Sequence, residues 1–192
     1  FKYFDIIDKL NLRKLDVAGF DHFHFGDGSS YCHAMGSERF IDTLSKDFPE
    51  ERNNIKALCN DIKSIGNVVS PEILREGRIS NGGFEFMSMS AYEEINKHIK
   101  DEKLRRVFAG NSGLFAGDKL TTSMYEYGMI TNSNIDGAYA FVDGSQHLAD
   151  LLSERIKTNG GDVMLKSKVN NIFLVNDTAE YVELESGERF SA

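Results

Sequence analysis

The 192-residue sequence is short of several things, and each shortage excludes a class of protein. No apolar run is long enough to span a bilayer, and there is no secretory hydrophobic region. The chain opens on Phe1 rather than Met, so the missing leader excludes nothing upstream. Basic charge is scarce: 22 Lys and Arg stand against 30 Asp and Glu, for a formal net charge of −8. No basic stripe reverses that balance, which argues against nucleic acid as the main partner. The two cysteines, Cys32 and Cys59, have no metal-type spacing and read as free thiols of a reducing, cytoplasmic setting. There is no internal repeat and no low-complexity tract.

Chemistry-bearing motifs are equally sparse. Gly-x-Ser-x-Gly is absent, and Ser112 in Gly110-Asn111-Ser112-Gly113 reads as a helix-terminating turn. Gly110, Gly113 and Gly117 do not make Gly-x-Gly-x-x-Gly, no strand precedes them, and no Walker-type loop occurs. The sequence therefore shows no cradle for a nucleotide pyrophosphate. His98 and His147 fall on predicted helices with no nucleophile beside them and read as surface or boundary residues.

The segments that are present alternate in character. Phe4, Ile7 and Leu10 predict a short helix over residues 1–12. A β-hairpin follows, with Phe23 and Phe25 on one face, His22 and His24 on the other, and turn chemistry at Gly26-Asp27-Gly28. Ser37 opens a helix bearing Phe40, Ile41, Leu44 and Phe48, and Pro49 restarts it with a stripe from Ile55 to Ile65. Residues 70–83 read as a loop. Ser90 and Glu93 make a capping box for a helix with Tyr92, Ile95 and Ile99 inward. Helices are expected over about 102–109 and 120–131, then a strand over 138–142. Ser145 caps a helix with Leu148, Leu151, Leu152 and Ile156, ended by Asn159-Gly160-Gly161. Strands are predicted at 163–165, 170–175, 181–184 and from 189 onward. The fold class is α+β, with a domain boundary near Asp143. The last residues lie inside a predicted strand, so the chain is expected to be an internal piece of a longer protein.

Two side-chain groups invite a functional reading. A two-residue loop at Asp27-Gly28 sets His22 across from His33 and puts His22, His24 and His33 on one face, a conceivable Zn²⁺ or Cu²⁺ site. No carboxylate or Cys completes such a shell, and a solvated hairpin face without metal is the plainer reading. Tyr125, Tyr127, Tyr139 and Phe141, with Met124 and Met129, cluster around one helix and the strand after it. They are either core or the wall of an apolar ligand cavity, and the residues alone admit both.

The tail carries the most specific pattern: Ala138-Tyr139-Ala140-Phe141-Val142-Asp143-Gly144-Ser145-Gln146, the following helix, Gly160-Gly161-Asp162-Val163, and Val169-Asn170-Asn171-Ile172. It resembles the middle of flavin-dependent oxidoreductases of the phytoene desaturase, carotenoid isomerase and retinol saturase type. Gly19–Gly28 is similar to that family's substrate-domain hairpin, and Phe48-Pro49-Glu50 to the break that follows it. The tail motif is shared with the wider flavin superfamily, including amine oxidases. Val142 stands where the family usually has Pro, and Asp143 where it has the first Gly of the turn.

The resemblance implies a substrate-binding domain over residues 1–143 and a partial FAD-domain segment over 144–192. It implies FAD as cofactor of the longer protein, NAD(P) as a candidate electron partner, and hydride exchange with a hydrophobic polyene or isoprenoid-like substrate. Val169 is implied to meet the adenine end through its backbone, and Tyr127, Tyr139 and Phe141 to face substrate. The fragment alone is expected to bind no flavin and to be inactive. Peripheral membrane contact of the longer protein is compatible with such a substrate. A hydrophobic-ligand-binding module without catalysis is the alternative reading, and an amine oxidase-type enzyme is another.

Overall fold

The apolar stripe from Ile55 to Ile65 organises the structure. The computed structural model describes residues 1–68, 81–142 and 144–191. In it, Ile55, Leu58, Cys59, Ile62 and Ile65 are all buried along one side of the helix Arg52–Val68. The chain divides into two compact units, Leu12–Ala140 on the one hand and Phe1–Asn11 with Phe141–Ala192 on the other.

The larger unit begins with β1 (Leu12–Lys14), which pairs with β4 (Tyr139–Phe141). Between them lie the hairpin β2 (Asp21–His24) and β3 (Ser30–His33), then α1 (Ser37–Asp47) and α2 (Arg52–Val68). Four helices follow: α3 (Asn81–Ser88), α4 (Ala91–His98), α5 (Glu102–Phe108) and α6 (Met124–Asp136). α2 packs most extensively on α6, and α1, α3 and α4 lean on the same pair. Phe40, Leu44, Ile95, Ile99, Leu104, Phe108, Tyr127 and Ile135 join the α2 stripe in one core.

Local chemistry sets the helix starts. The Ser90 hydroxyl accepts from the Glu93 N–H, Asp101 Oδ1 from Leu104 N–H at 2.9 Å, and the Ser123 hydroxyl from Glu126 N–H at 3.1 Å. The buried Glu51 carboxylate accepts from the N–H groups of Lys100 (2.8 Å) and Asp101 (2.6 Å) and from Asn54 (2.7 Å). It thereby ties the α4–α5 connection to the start of α2.

The smaller unit holds two 3₁₀ turns (Lys2–Phe4 and Ile7–Lys9), α7 (Gln146–Thr158) and the antiparallel meander β5 (Val169–Val175), β6 (Thr178–Leu184), β7 (Arg189–Ser191). Asn176 and Asp177 both have positive φ (48° and 59°), the conformation a tight hairpin requires. Phe173 stacks on Tyr181 at 4.4 Å, with the Arg189 guanidinium 4.9 Å from the Tyr181 ring.

Mixed helix and small sheets agree with the α+β expectation. Several boundaries moved. The predicted first helix is two 3₁₀ turns with Ile6, not Ile7, buried. Gly82 and Gly83 lie in α3 rather than a loop, whereas residues 70–80 of that expected loop lie outside the described residues. The 120–131 helix starts only at Met124, because Asp118 folds the preceding residues into a turn by accepting from Leu120 and Thr121 N–H. No strand forms over 163–165. No helix among the described residues is long and apolar enough to cross a membrane.

Two glycines set the spacing of α2 and α6. A Cβ on Gly128 would sit 2.6 Å from Ile65 Cδ1 and 3.1 Å from Ile65 Cβ; one on Gly66 would meet the Asn132 amide at 2.2 Å. Gly128→Ala should therefore lower unfolding free energy by about 1–2 kcal/mol, since the clash reaches the branched Cβ of Ile65 and outweighs the gain in helix propensity. Gly66→Ala meets Asn132 from its amide to its Cβ (3.2 Å), but the short amide can turn away, so the loss should be smaller, about 0.5–1 kcal/mol. Urea denaturation of both variants checks the order; equal losses would refute it.

Candidate functional site

The hairpin is the first place where spacing and structure part. Its register pairs Asp21 with His33, His22 with Cys32, Phe23 with Tyr31 and His24 with Ser30. The turn is longer than two residues, closed by Phe25 N–H to Ser29 O (2.9 Å) and Gly28 N–H to Phe25 O (3.0 Å). That shifts the pairing by one residue, which moves a side chain to the opposite face. His22 and His24 stack outside with ring centroids 6.5 Å apart, whereas His33 points inward and is buried. The three imidazoles do not share a face. Among the described residues no group of His, Cys, Asp or Glu could hold a metal ion.

His33 is packed in aromatic rings: Phe23 at 4.6 Å, Phe40 at 4.9 Å, Phe20 at 6.2 Å and Phe108 at 6.5 Å. Its Nε2 has no hydrogen-bond partner among the described residues. Burial pushes its pKa down to about 4, opposed only in part by the Val107 backbone. The side chain is thus a neutral core group. Cys59 is another, its thiol pushed up to about 12 by burial, which leaves it unreactive.

The larger unit carries depressions of distinct chemistry, three of which bear on a ligand. The widest, about 900 Å³, is bordered by Glu38, Arg39, Asp42, Lys46 and Arg52, a charged rim unsuited to an apolar ligand. A cleft of about 520 Å³ is formed by Leu15, Phe20, Leu114, Ala138 and Tyr139. Leu114 and Tyr139 are 71% and 56% exposed there, an apolar surface open to solvent. A third cavity, about 390 Å³, lies between α4, α5 and the 117–122 turn, with Ala91, Ile95 and Tyr127 in its wall.

The residues expected to face substrate are accordingly dispersed. Tyr127 is buried, its hydroxyl donating to the Phe108 carbonyl at 3.1 Å, and burial holds its phenol well above the ordinary value. Tyr139 lines the separate apolar cleft. Phe141 lies in the smaller unit, edge-on to Phe1 at 6.3 Å. Val169 opens β5, paired with Leu184, and its side chain is exposed. Tyr92, expected inward, faces outward at the mouth of the third cavity, because Ala91 and Ile95 take the buried side of α4. Lys119 and Arg105 border the same cavity. Neither stood out in the sequence, where they lie 13 and 27 residues from Tyr92 and only the fold brings them to it.

The residues present do not by themselves fit a flavin dinucleotide. Among them no parallel βαβ unit forms, and the β5–β6–β7 sheet is antiparallel throughout. What the smaller unit does present is Gly144 at φ 90°, α7, Gly160 at φ 83° and then β5, in the order of the tail motif.

No protein-family model matches the chain. It is similar to the 4,4'-diapolycopen-4-al dehydrogenase of Metabacillus indicus, 23% identical over 181 residues, which are 88% of this chain and 36% of that protein. It is similar to the all-trans-retinol 13,14-reductase of Danio rerio, 24% identical over 163 residues, 77% of this chain and 26% of that protein. It also resembles the lycopene-forming phytoene desaturase of Pantoea ananas, 29% identical over 102 residues, 53% of this chain and 20% of that protein. The chain thus resembles enzymes named for carotenoid and retinoid oxidation and reduction, and spans only a minor part of their length.

His33 generates a test of its own. Its folded pKa lies below the unfolded value of about 6.5, so the unfolded chain binds the extra proton as the solution acidifies. Its neutral form costs nothing above that pH, and stability falls between about pH 6.5 and 4, by roughly 3 kcal/mol at most. Denaturation midpoints across that range should drop less steeply in His33→Phe than in the parent; parallel curves would show that His33 does not titrate with folding.

Proposed function

We propose that these residues are the substrate-binding part, and a stretch of the cofactor domain, of a flavin-dependent oxidoreductase acting on a hydrophobic polyene or isoprenoid-like compound. The observation that carries this reading is the similarity over up to 88% of the chain to a dehydrogenase, a reductase and a desaturase of carotenoids and retinoids. The tail motif that prompted the resemblance runs through β4, Gly144, α7, Gly160 and β5, without the short strand expected at 163–165. In such enzymes the bound flavin supplies the hydride chemistry, and the protein supplies orientation and a dry surface. That division suits a chain whose described residues include no nucleophile–base pair.

Within this reading, the cleft of Leu15, Phe20, Leu114 and Tyr139 is the chain's best contribution to substrate contact. Asp21 and Asn134 also line it, but its Leu114 and Tyr139 side chains already stand exposed, so covering them with a polyene removes apolar surface from water. Val169 contributes backbone groups in this reading, since β5 is the edge strand of its sheet.

The full-length protein that contains these residues should purify yellow, with visible flavin absorbance. Tyr139→Ala should leave flavin content unchanged and raise KM for a polyene substrate by roughly tenfold. A colourless full-length protein that takes up no added FAD overturns the oxidoreductase reading. An unchanged KM removes the cleft from it.

A further inference from the structure

We infer that the 390 Å³ cavity between α4, α5 and the 117–122 turn binds a small amphipathic anion, a carboxylate on a short apolar body. The body sits against Ala91, Ile95 and Tyr127, and the charge meets Lys119 and Arg105 at the mouth. This does not rest on the oxidoreductase reading.

The polar side chains that share the wall, Asn96, Ser112 and Thr122, already bond to the Tyr92 carbonyl, the Ala109 carbonyl and the Asp118 N–H. Ala91 and Ile95 are buried aliphatic groups, and the Tyr127 hydroxyl is already bonded to the Phe108 carbonyl, leaving a ring. The volume lies within the range of small-molecule sites. The mouth is different in kind. The Lys119 ammonium lies 4.3 Å from the centroid of the Tyr92 ring, and no carboxylate pairs with it among the described residues. Arg105 spends Nε and one Nη on the carbonyls of Ile99 (2.7 Å) and Lys100 (2.9 Å), which fixes the guanidinium without neutralising it.

The two acidic groups at the rim are committed elsewhere. Glu102 is paired with Arg106, and Asp118 is turned into its own turn by Leu120 N–H, Thr121 N–H and the Thr121 hydroxyl, which orient its charge away from Lys119 and Arg105 without cancelling it. Two cations are therefore left without a carboxylate partner in a protein whose formal charge is −8. The Tyr92 phenol registers the resulting field: Lys119 foremost, then Asn96 and Arg105, hold it below its ordinary value. An anion with an apolar tail satisfies both halves of the cavity at once. A neutral amphiphile satisfies only the wall, and a bare anion only the mouth.

Octanoate, octan-1-ol and acetate separate these contributions. Calorimetric titration of the 192-residue chain at low salt should give one saturable octanoate site. Octanol and acetate should each bind at least about tenfold more weakly. Lys119→Ala, at an exposed position, should weaken octanoate by about tenfold, while Lys46→Ala in the charged cleft should not. Octanoate should also raise the Tyr92 phenol titration, followed by its ultraviolet absorbance, as the carboxylate offsets the Lys119 charge. No saturable octanoate binding, octanol binding as tight as octanoate, or an unaltered affinity in Lys119→Ala would each overturn the inference.

Discussion

The larger unit depends on how closely α2 can approach α6. Gly66 and Gly128 remove the side chains that would hold the two helices apart, and each glycine receives a residue of the opposite helix, Asn132 and Ile65 respectively. That spacing lets Ile62 and Ile65 reach the same core as Tyr127 and Ile135. The other helices then pack around a fixed pair. Where packing alone does not fix the chain, a buried carboxylate does: Glu51 holds the α4–α5 connection by its backbone N–H groups. Removing such an acceptor leaves donors unsatisfied, so the connection is determined by polar satisfaction as much as by apolar contact.

This explains which parts were legible in the sequence. The stripes of α1 and α2 repeat with helical period, and their buried faces are the predicted ones. The capping box at Ser90 and the turns at Asn176-Asp177 and Ser186-Gly187 are local chemistry, and local chemistry can be read from neighbouring residues. The hairpin register was not legible, because it depends on the geometry of the turn. Phe25–Ser29 closes as a longer turn than Asp27-Gly28 alone would, and the single-residue shift carried His33 from an imagined metal face into an aromatic cage. The start of α6 was missed for a related reason: Asp118 engages backbone groups that a helix would otherwise have used.

The candidate site was harder to read than the fold. An aromatic cluster in sequence suggested one cavity around Tyr127, Tyr139 and Phe141, yet sequence proximity says nothing about the direction in which a side chain leaves its element. Tyr127 leaves α6 toward the core, Tyr139 leaves β4 toward solvent, and Phe141 belongs to the other unit. The tail motif was informative because its glycines are tied to backbone conformation: Gly144 and Gly160 both occupy the left-handed region in which glycine carries no steric cost. Position-specific backbone demands survive low identity better than side-chain contacts do.

The charge distribution sharpens the contrast between the two cavities of the larger unit. The Tyr139 cleft is open and mostly apolar, with Asp21 and Asn134 as its polar members and no cation in its lining. The cavity under Tyr92 couples an apolar wall to two cations that no carboxylate pairs with among the described residues. Keeping such charges unpaired beside a buried wall costs stability unless solvent or a ligand attends them. Lys119 remains solvated and pays little for its position, while Arg105 is held by carbonyls that orient it without cancelling its charge. An oriented, uncancelled guanidinium beside an apolar wall is a local arrangement that neither helix packing nor the Tyr139 cleft requires.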